Sequence, residues 1–271
     1  MNNADKYLII NDYVTACDYR FLLEKINNSI IKKKILSIAP ITTHTLVHST
    51  QKGRLRNALK SFTFLVPDSQ WVKRSIYFLY GKRIKKRIYG PELMVKVCEF
   101  AERKGHRIFL YGTTYNTLSQ LNSALEKKFP RLKIGGFLAS KFSQLTMVEK
   151  AELIEAIKKS NASILFIALG EPLQEIFTYD LIYKKPALKI PITVVTVGAA
   201  FDFISGVKPQ APIWVQNLGF EWLFRLLTEP RRLSKRYLIY GPLFILLILK
   251  QKGEILLNST YNIVVKNKIR S

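Results

Sequence analysis

The stretch VVTVGAAFDFISG, residues 194 to 206, runs from a β-branched apolar segment into three small residues and then into aromatics around a carboxylate. Val194 to Val197 read as a buried strand. Gly198, Ala199 and Ala200 leave room for a sharp turn or a close approach. Asp202 sits between Phe201 and Phe203, and Gly206 closes the unit. An apolar strand followed by a small-residue turn is the signature of a strand whose carboxyl end feeds a helix. The same grammar recurs along the chain. Strands are expected at 6–10, 34–40, 62–67, 107–112, 132–137, 163–169 and 192–198, and helical spacing fills 92–104, 115–128, 147–160 and 174–184. Alternation of this kind predicts an α/β fold: a Rossmann-like, mostly parallel sheet with helices on both faces.

Composition narrows the class. A chain of 271 residues with 48% hydrophobic content supports a real core. A formal net charge of +24 draws it to polyanions: nucleic acid, anionic lipid or a phosphate-bearing ligand. Two cysteines, Cys17 and Cys98, argue against a disulfide framework. The N-terminus lacks the pattern of a secretory signal. The longest apolar run, 237–249, is interrupted by Gly241 and Pro242 and falls short of the ~18 residues a spanning helix needs. A cytoplasmic protein is therefore expected. The character changes near residue 208, where Trp214, Trp222 and the basic side chains Arg225, Arg231, Arg232, Lys235 and Arg236 gather. Two units are expected: an α/β core at 1–207 and a helical, basic, membrane-associating appendage at 208–271. Aromatics at headgroup depth with cations on anionic lipid favour a membrane surface. A nucleic-acid footprint is the rival reading of the same charge.

Ligands of open parallel sheets bind outside the carboxyl ends of the strands. The residues there are Thr42 and Thr43, Asp68, Gly112 and Thr113, Gly170 and Gln174, and Gly198, Ala199, Phe201 and Asp202. Asp68 has two readings: an N-cap for the following helix, or a general base for a bound hydroxyl. Asp202 is either a structural lock or a ligand-binding group. Gly170 opens a helix N-terminus that can face an anion, and Gln174 can read polar groups. His44 and His48 have helical metal spacing without a third ligand nearby, so no metal is expected. Dinucleotide-binding Gly-x-Gly-x-x-Gly, Walker A and Asp-x-Asp patterns are missing from the sequence.

The C-terminal block carries a resemblance. Val197, Gly198, Ala200, Phe201, Asp202, Phe203 and Gly206 are followed by Ala211 and Pro212, then Gly219, Glu221, Trp222, Arg225 and Leu226, then Glu229, Pro230 and Arg232. This order resembles the signature of the WecG/TagA/CpsF glycosyltransferases, glycosyltransferase family 26. Gly170, Pro172, Gln174 and Glu175 match a second element of that family. Glu92 stands where a third element has aspartate. The resemblance implies an inverting, metal-independent transfer from a UDP-sugar donor to a polyprenyl-diphosphate-linked sugar acceptor, with no cofactor. The setting it implies is teichoic acid, capsule or exopolysaccharide synthesis at the inner face of the bacterial cell membrane. It implies Asp68 as catalytic base and places arginines of the appendage, Arg225 and Arg232, at the site. The chain departs from the family at Ser69, often glycine; at Thr42 or Thr43, where asparagine is usual; and at Gln210, usually arginine. A catalytically inactive scaffold of the same fold is the alternative these departures raise. On this reading Asp68 and Asp202 share one crevice beside the cationic appendage. A homo-oligomer is left open, and nucleic acid is not an expected partner.

Overall fold

The computed structural model describes residues 4–51, 53–141, 145–184 and 188–268. Strands β1 (Lys6–Ile9) and β2 (Asp12–Thr15) precede helix α1 (Tyr19–Ile31). Next come β3 (Leu36–Ile41), α2 (Thr43–His48), α3 (Arg54–Ser61), β4 (Phe64–Pro67), α4 (Gln70–Tyr80) and α5 (Gly90–Lys104). The second half holds β5 (Arg107–Gly112), α6 (Tyr115–Lys128), β6 (Lys133–Leu138), α7 (Met147–Ser160), β7 (Ile164–Ala168), α8 (Leu173–Tyr179), β8 (Thr193–Thr196) and α9 (Ala200–Ile204). The C-terminal helices are α10 (Ile213–Leu218), α11 (Glu221–Thr228), α12 (Pro230–Leu238) and α13 (Tyr240–Lys268).

Six strands form one sheet in the order β4-β3-β8-β7-β5-β6, and every neighbouring pair is parallel. Every residue of β3, β7 and β8 is buried, which is why these segments read as continuous apolar runs rather than as alternating ones. Helices α1, α5, α6 and α9 close one face around Leu22, Val97, Leu121 and Phe201. The other face carries two clusters, one under α7 and α8 and one shared by α2, α3, α4 and α13.

Two features differ from the expected outline. The strand at 6–10 does not join the main sheet. It pairs antiparallel with β2 across a two-residue turn in which Ile10 takes a positive φ of 60°. So short a connection makes a hairpin and is far too short for a parallel crossover. The interruption at Gly241 and Pro242 does not break the last helix, because Pro242 falls in its first turn, where a missing N–H costs nothing. Phe244 and Ile248 of α13 are buried against the cluster that includes Leu46, Val72 and Ile76. Gln251 bonds to the backbone of Leu8 and Ile10 at 2.9 Å each, tying α13 to the hairpin. No helix among the described residues is long and apolar enough to cross a membrane.

Candidate active site

The end of β4 places the central carboxylate. Asp68 N–H donates to the Ile41 carbonyl at 3.0 Å, extending the β3–β4 ladder one residue beyond the strand. The helix cap is supplied by the next residue: Ser69 Oγ accepts from Val72 N–H at 3.1 Å. Asp68 is thereby released from capping. Its Oδ1 accepts instead from Gly90 N–H at 2.8 Å. A Cβ at Gly90 would lie 3.0 Å from the Val197 carbonyl oxygen, so glycine lets the start of α5 sit close to Asp68 and the end of β8. Burial pushes the Asp68 carboxyl up to about 6, and the Glu221 and Glu171 charges add to the rise. The Arg87 guanidinium and the Gly90 N–H hold it back.

Arg87 organises one side of Asp68. Its Nη1 donates to the Asp68 carbonyl at 3.2 Å, and Nη2 donates to Gln216 Oε1 at 3.2 Å and pairs with Glu221. The guanidinium also lies 4.2 Å from the Tyr89 ring centroid. A second node lies at the ends of β3 and β7. Glu171 Oε2 accepts from Thr42 Oγ1 at 2.8 Å and from Arg236 Nη2 at 2.9 Å. Arg236 Nη2 also donates to Thr42 Oγ1 at 3.0 Å.

Between the two nodes lies a cavity of about 200 Å³. Thr42, Thr43, Asp68, Ser69, Arg87, Glu221, Arg225 and Arg236 supply its polar wall. Trp71, Trp222, Tyr237, Pro242, Phe244 and Ile245 supply an apolar wall, most of it from the C-terminal helices. Arg225 stacks over Phe203 at 5.7 Å and has no ion-pair partner among the described residues. A carboxylate whose proton affinity is near neutral, facing three guanidinium groups, can take a proton from a hydroxyl and stabilise an anionic leaving group nearby.

Of the strand-end residues picked out in the sequence, Thr42, Thr43 and Asp68 come together in this cavity, and Arg225 of the C-terminal block joins them. The others lie outside its walls. Asp202 pairs with Lys208 Nζ at 3.0 Å, and Lys208 reaches Glu229 at 3.2 Å. Arg232 makes two bonds of 2.7 Å to the same Glu229. Asp202 and Asp68 thus belong to the same rim of the sheet, around Val197 and Gly90, but do not line a common cavity. Gln174 is buried, and its Oε1 accepts from Gly198 N–H at 3.0 Å, stapling the start of α8 to the turn after β8. Phe201 is a core residue, and Ala199 precedes α9. A Cβ on Gly112 would come 2.3 Å from the Ala168 carbonyl oxygen, and Thr113 N–H is bonded to that oxygen. Gly170 takes a φ of 76° in the turn that leads to Glu171. His44 packs edge-on and His48 tilted against Tyr240, their ring centroids 4.9 and 4.7 Å from it. Among the described residues no cluster of His, Cys, Asp or Glu could hold a metal ion. Arg87, Glu171 and Glu221 escaped the sequence reading as site residues. Arg236 appeared in it only as part of a basic run.

The parallel sheet, the buried carboxyl at its carboxyl rim and the cationic cavity wall define an α/β protein with a site suited to an anionic ligand. Residues 8–255 match the model of the glycosyl transferase WecG/TagA/CpsF family, and the chain belongs to that family. It is similar to the N-acetylglucosaminyldiphosphoundecaprenol N-acetyl-beta-D-mannosaminyltransferase of Bacillus spizizenii (strain ATCC 23059 / NRRL B-14472 / W23). The two are 30% identical over 202 residues, 74% of each chain. A protein of the same name from Bacillus subtilis (strain 168) is 30% identical over 196 residues, 72% of each chain. The chain is a glycosyltransferase.

Proposed function

We propose that the chain transfers a sugar from a UDP-sugar donor to a polyprenyl-diphosphate-linked sugar acceptor, with inversion at the anomeric carbon. The names of the two relatives suggest an N-acetylmannosaminyl group as the sugar and N-acetylglucosaminyl diphosphoundecaprenol as the acceptor. The observation that carries the reading is Asp68: a carboxyl pushed up to about 6, free of the capping role, on the wall of a cavity with Arg87, Arg225 and Arg236. Asp68 accepts the proton of the acceptor hydroxyl. The hydroxyl oxygen bonds to the anomeric carbon as the bond from that carbon to the UDP oxygen breaks. The leaving diphosphate gains negative charge, which the guanidinium groups stabilise.

The C-terminal segment, 208–271, serves in this reading as a membrane-associating appendage. Trp214, Leu227 and Leu246 are 67%, 74% and 62% exposed, a density of bare apolar side chains that suits an interface better than water. The enzyme then works peripherally on the inner face of the bacterial cell membrane, in synthesis of teichoic acid, capsule or exopolysaccharide. The test is incubation of the full chain with a panel of UDP-sugars and a polyprenyl-diphosphate N-acetylglucosamine. A disaccharide-lipid product is expected with one donor and not with Asp68→Asn. Absence of product with every donor would favour a non-catalytic scaffold.

A further inference from the structure

Glu171 is not part of the cavity wall, yet two of its partners are. Thr42 and Arg236 both line the cavity, and both donate to Glu171 Oε2. The three residues come from different parts of the fold. Thr42 follows β3, Glu171 lies between β7 and α8, and Arg236 is in α12. His44 Nδ1 stands 3.8 Å from the same oxygen. One carboxylate oxygen therefore joins two strand ends of the core to the C-terminal helices.

Burial makes this joint consequential. The Glu171 and Arg236 side chains are 8% and 17% exposed. Removing one member of so enclosed a pair leaves the other charge without compensation. The environment also keeps Glu171 charged: Arg236, His44 and Thr42 together outweigh its burial and hold its carboxyl below the usual range. Glu175, four residues on and inside α8, goes the other way, raised by burial and by the Glu171 charge. Two further ionic joints reach the same helices among the described residues: Arg87 with Glu221 of α11, as enclosed as the Glu171 pair, and Lys208 with Asp202 and Glu229, more open to solvent, with Lys208 35% exposed. Screening weakens the Lys208 joint, and the Arg87 joint holds α11, so Glu171 is the enclosed carboxylate that meets α12.

We infer that Glu171 is a positioning residue: it clamps α12 to the core and fixes Arg236 and Thr42 in the wall that receives the anionic substrate. The identity of the substrate rests on the glycosyl-transfer reading above; the clamp does not. Glu171 touches no reacting atom in this scheme. It acts by holding a guanidinium where a phosphate can meet it, and small misplacements of such groups are costly in rate.

The test compares the full chain with Glu171→Ala, Glu171→Gln and Arg236→Ala by hydrogen exchange of α12 and by steady-state kinetics on the lipid-linked acceptor. Glu171→Ala is expected to speed exchange in α12 and to lower kcat/KM by about ten- to a hundredfold, because Arg236 both meets the anionic substrate and stabilises the leaving diphosphate. Glu171→Gln keeps the volume and the bond from Thr42 but loses the charge, so its effect should be smaller and in the same direction. Arg236→Ala should match Glu171→Ala, and the double variant should be no worse than either single one. If Glu171→Ala does not fold, Glu171→Gln decides. Parental exchange in α12, or a parental kcat/KM, in the folded alanine variant would overturn the clamp. If the parent makes no product with any donor, the glycosyl-transfer reading fails, and the exchange measurement alone still decides whether the clamp exists.

Discussion

Asp68 occupies a position where the ordinary fate of an aspartate is to cap a helix, and Ser69 takes that duty from it. What remains is a carboxyl bonded to a single backbone N–H and raised by burial to about 6. A base must be deprotonated to act, so kcat/KM should climb with pH through about 6 and level off above it, as a pH–rate profile would record. Asp68→Asn should lower kcat by about 10²- to 10⁴-fold. The same substitution has a signed effect on stability. The folded-state value lies above the ordinary 3.8, so the carboxyl stabilises the fold below that value and loses this contribution as pH rises through about 6. Asp68→Asn keeps an acceptor for Gly90 and sheds the buried charge. It should therefore be more stable than the parent at pH 8, by ~3 kcal/mol, and nearly equal at low pH, as denaturant titrations at two pH values would show. Asp68, Thr42, Thr43 and Arg225 were legible because position after a strand, or a family motif, marks them. Arg87 was not, since it lies in KRIKKRIY (82–89), where nothing in a run of cations says which one folds inward. Asp202 was legible as either lock or ligand; Lys208 provides the lock.

At the scale of elements, the turn from β4 into α4 depends on a cap of one hydroxyl. Ser69→Ala should cost ~1 kcal/mol in urea unfolding and Ser69→Gly only a few tenths, so the glycine often found here in the family is nearly neutral for the helix. Gly112 is a harsher case. It has a φ of 135°, and an added Cβ would lie 2.3 Å from the Ala168 carbonyl oxygen, backbone that cannot swing aside. Gly112→Ala should part β5 from β7 and destabilise the chain by several kcal/mol, at about the upper end of single-substitution effects, visible as a large drop in Tm. Much of the element pattern could be read in advance because long, strongly periodic segments declare themselves: α6 spans Tyr115–Lys128 and α7 spans Met147–Ser160, the same bounds that helical spacing marks. The hairpin partner β2 could not, since DYVT offers four residues with no clear alternation. The order β4-β3-β8-β7-β5-β6 could not either. Which strands become neighbours is settled by how the crossing helices pack over the sheet, and a single strand's composition carries no trace of its neighbour.

For the whole molecule, charge and apolar exposure point the same way, but they do not belong to a detachable tail. Phe244 and Ile245 of α13 line the cavity, and Phe244 and Ile248 fill a core cluster. Deleting residues 208–271 would therefore strip both a wall of the site and part of the core, at ~3–5 kcal/mol for the phenylalanine alone, and would confuse lost docking with lost folding. Point changes on the outer surface separate the two. Leu227 and Leu246 are 74% and 62% exposed, so replacing both with glutamate should leave Tm near the parental value. Burying a leucine side chain contributes about 1.5–3 kcal/mol. The double variant should thus bind phosphatidylglycerol vesicles at least about a hundredfold more weakly than the parent in flotation, with part of the loss due to the reversed charge. Binding by the parent should also weaken as salt rises, because a +24 chain on an anionic surface is held partly by screened attraction. Flotation of the double variant equal to the parent's would remove the C-terminal surface from membrane docking. Salt-sensitive binding to RNA that survives in the double variant, with no flotation by either protein, would return the net charge to the nucleic-acid reading.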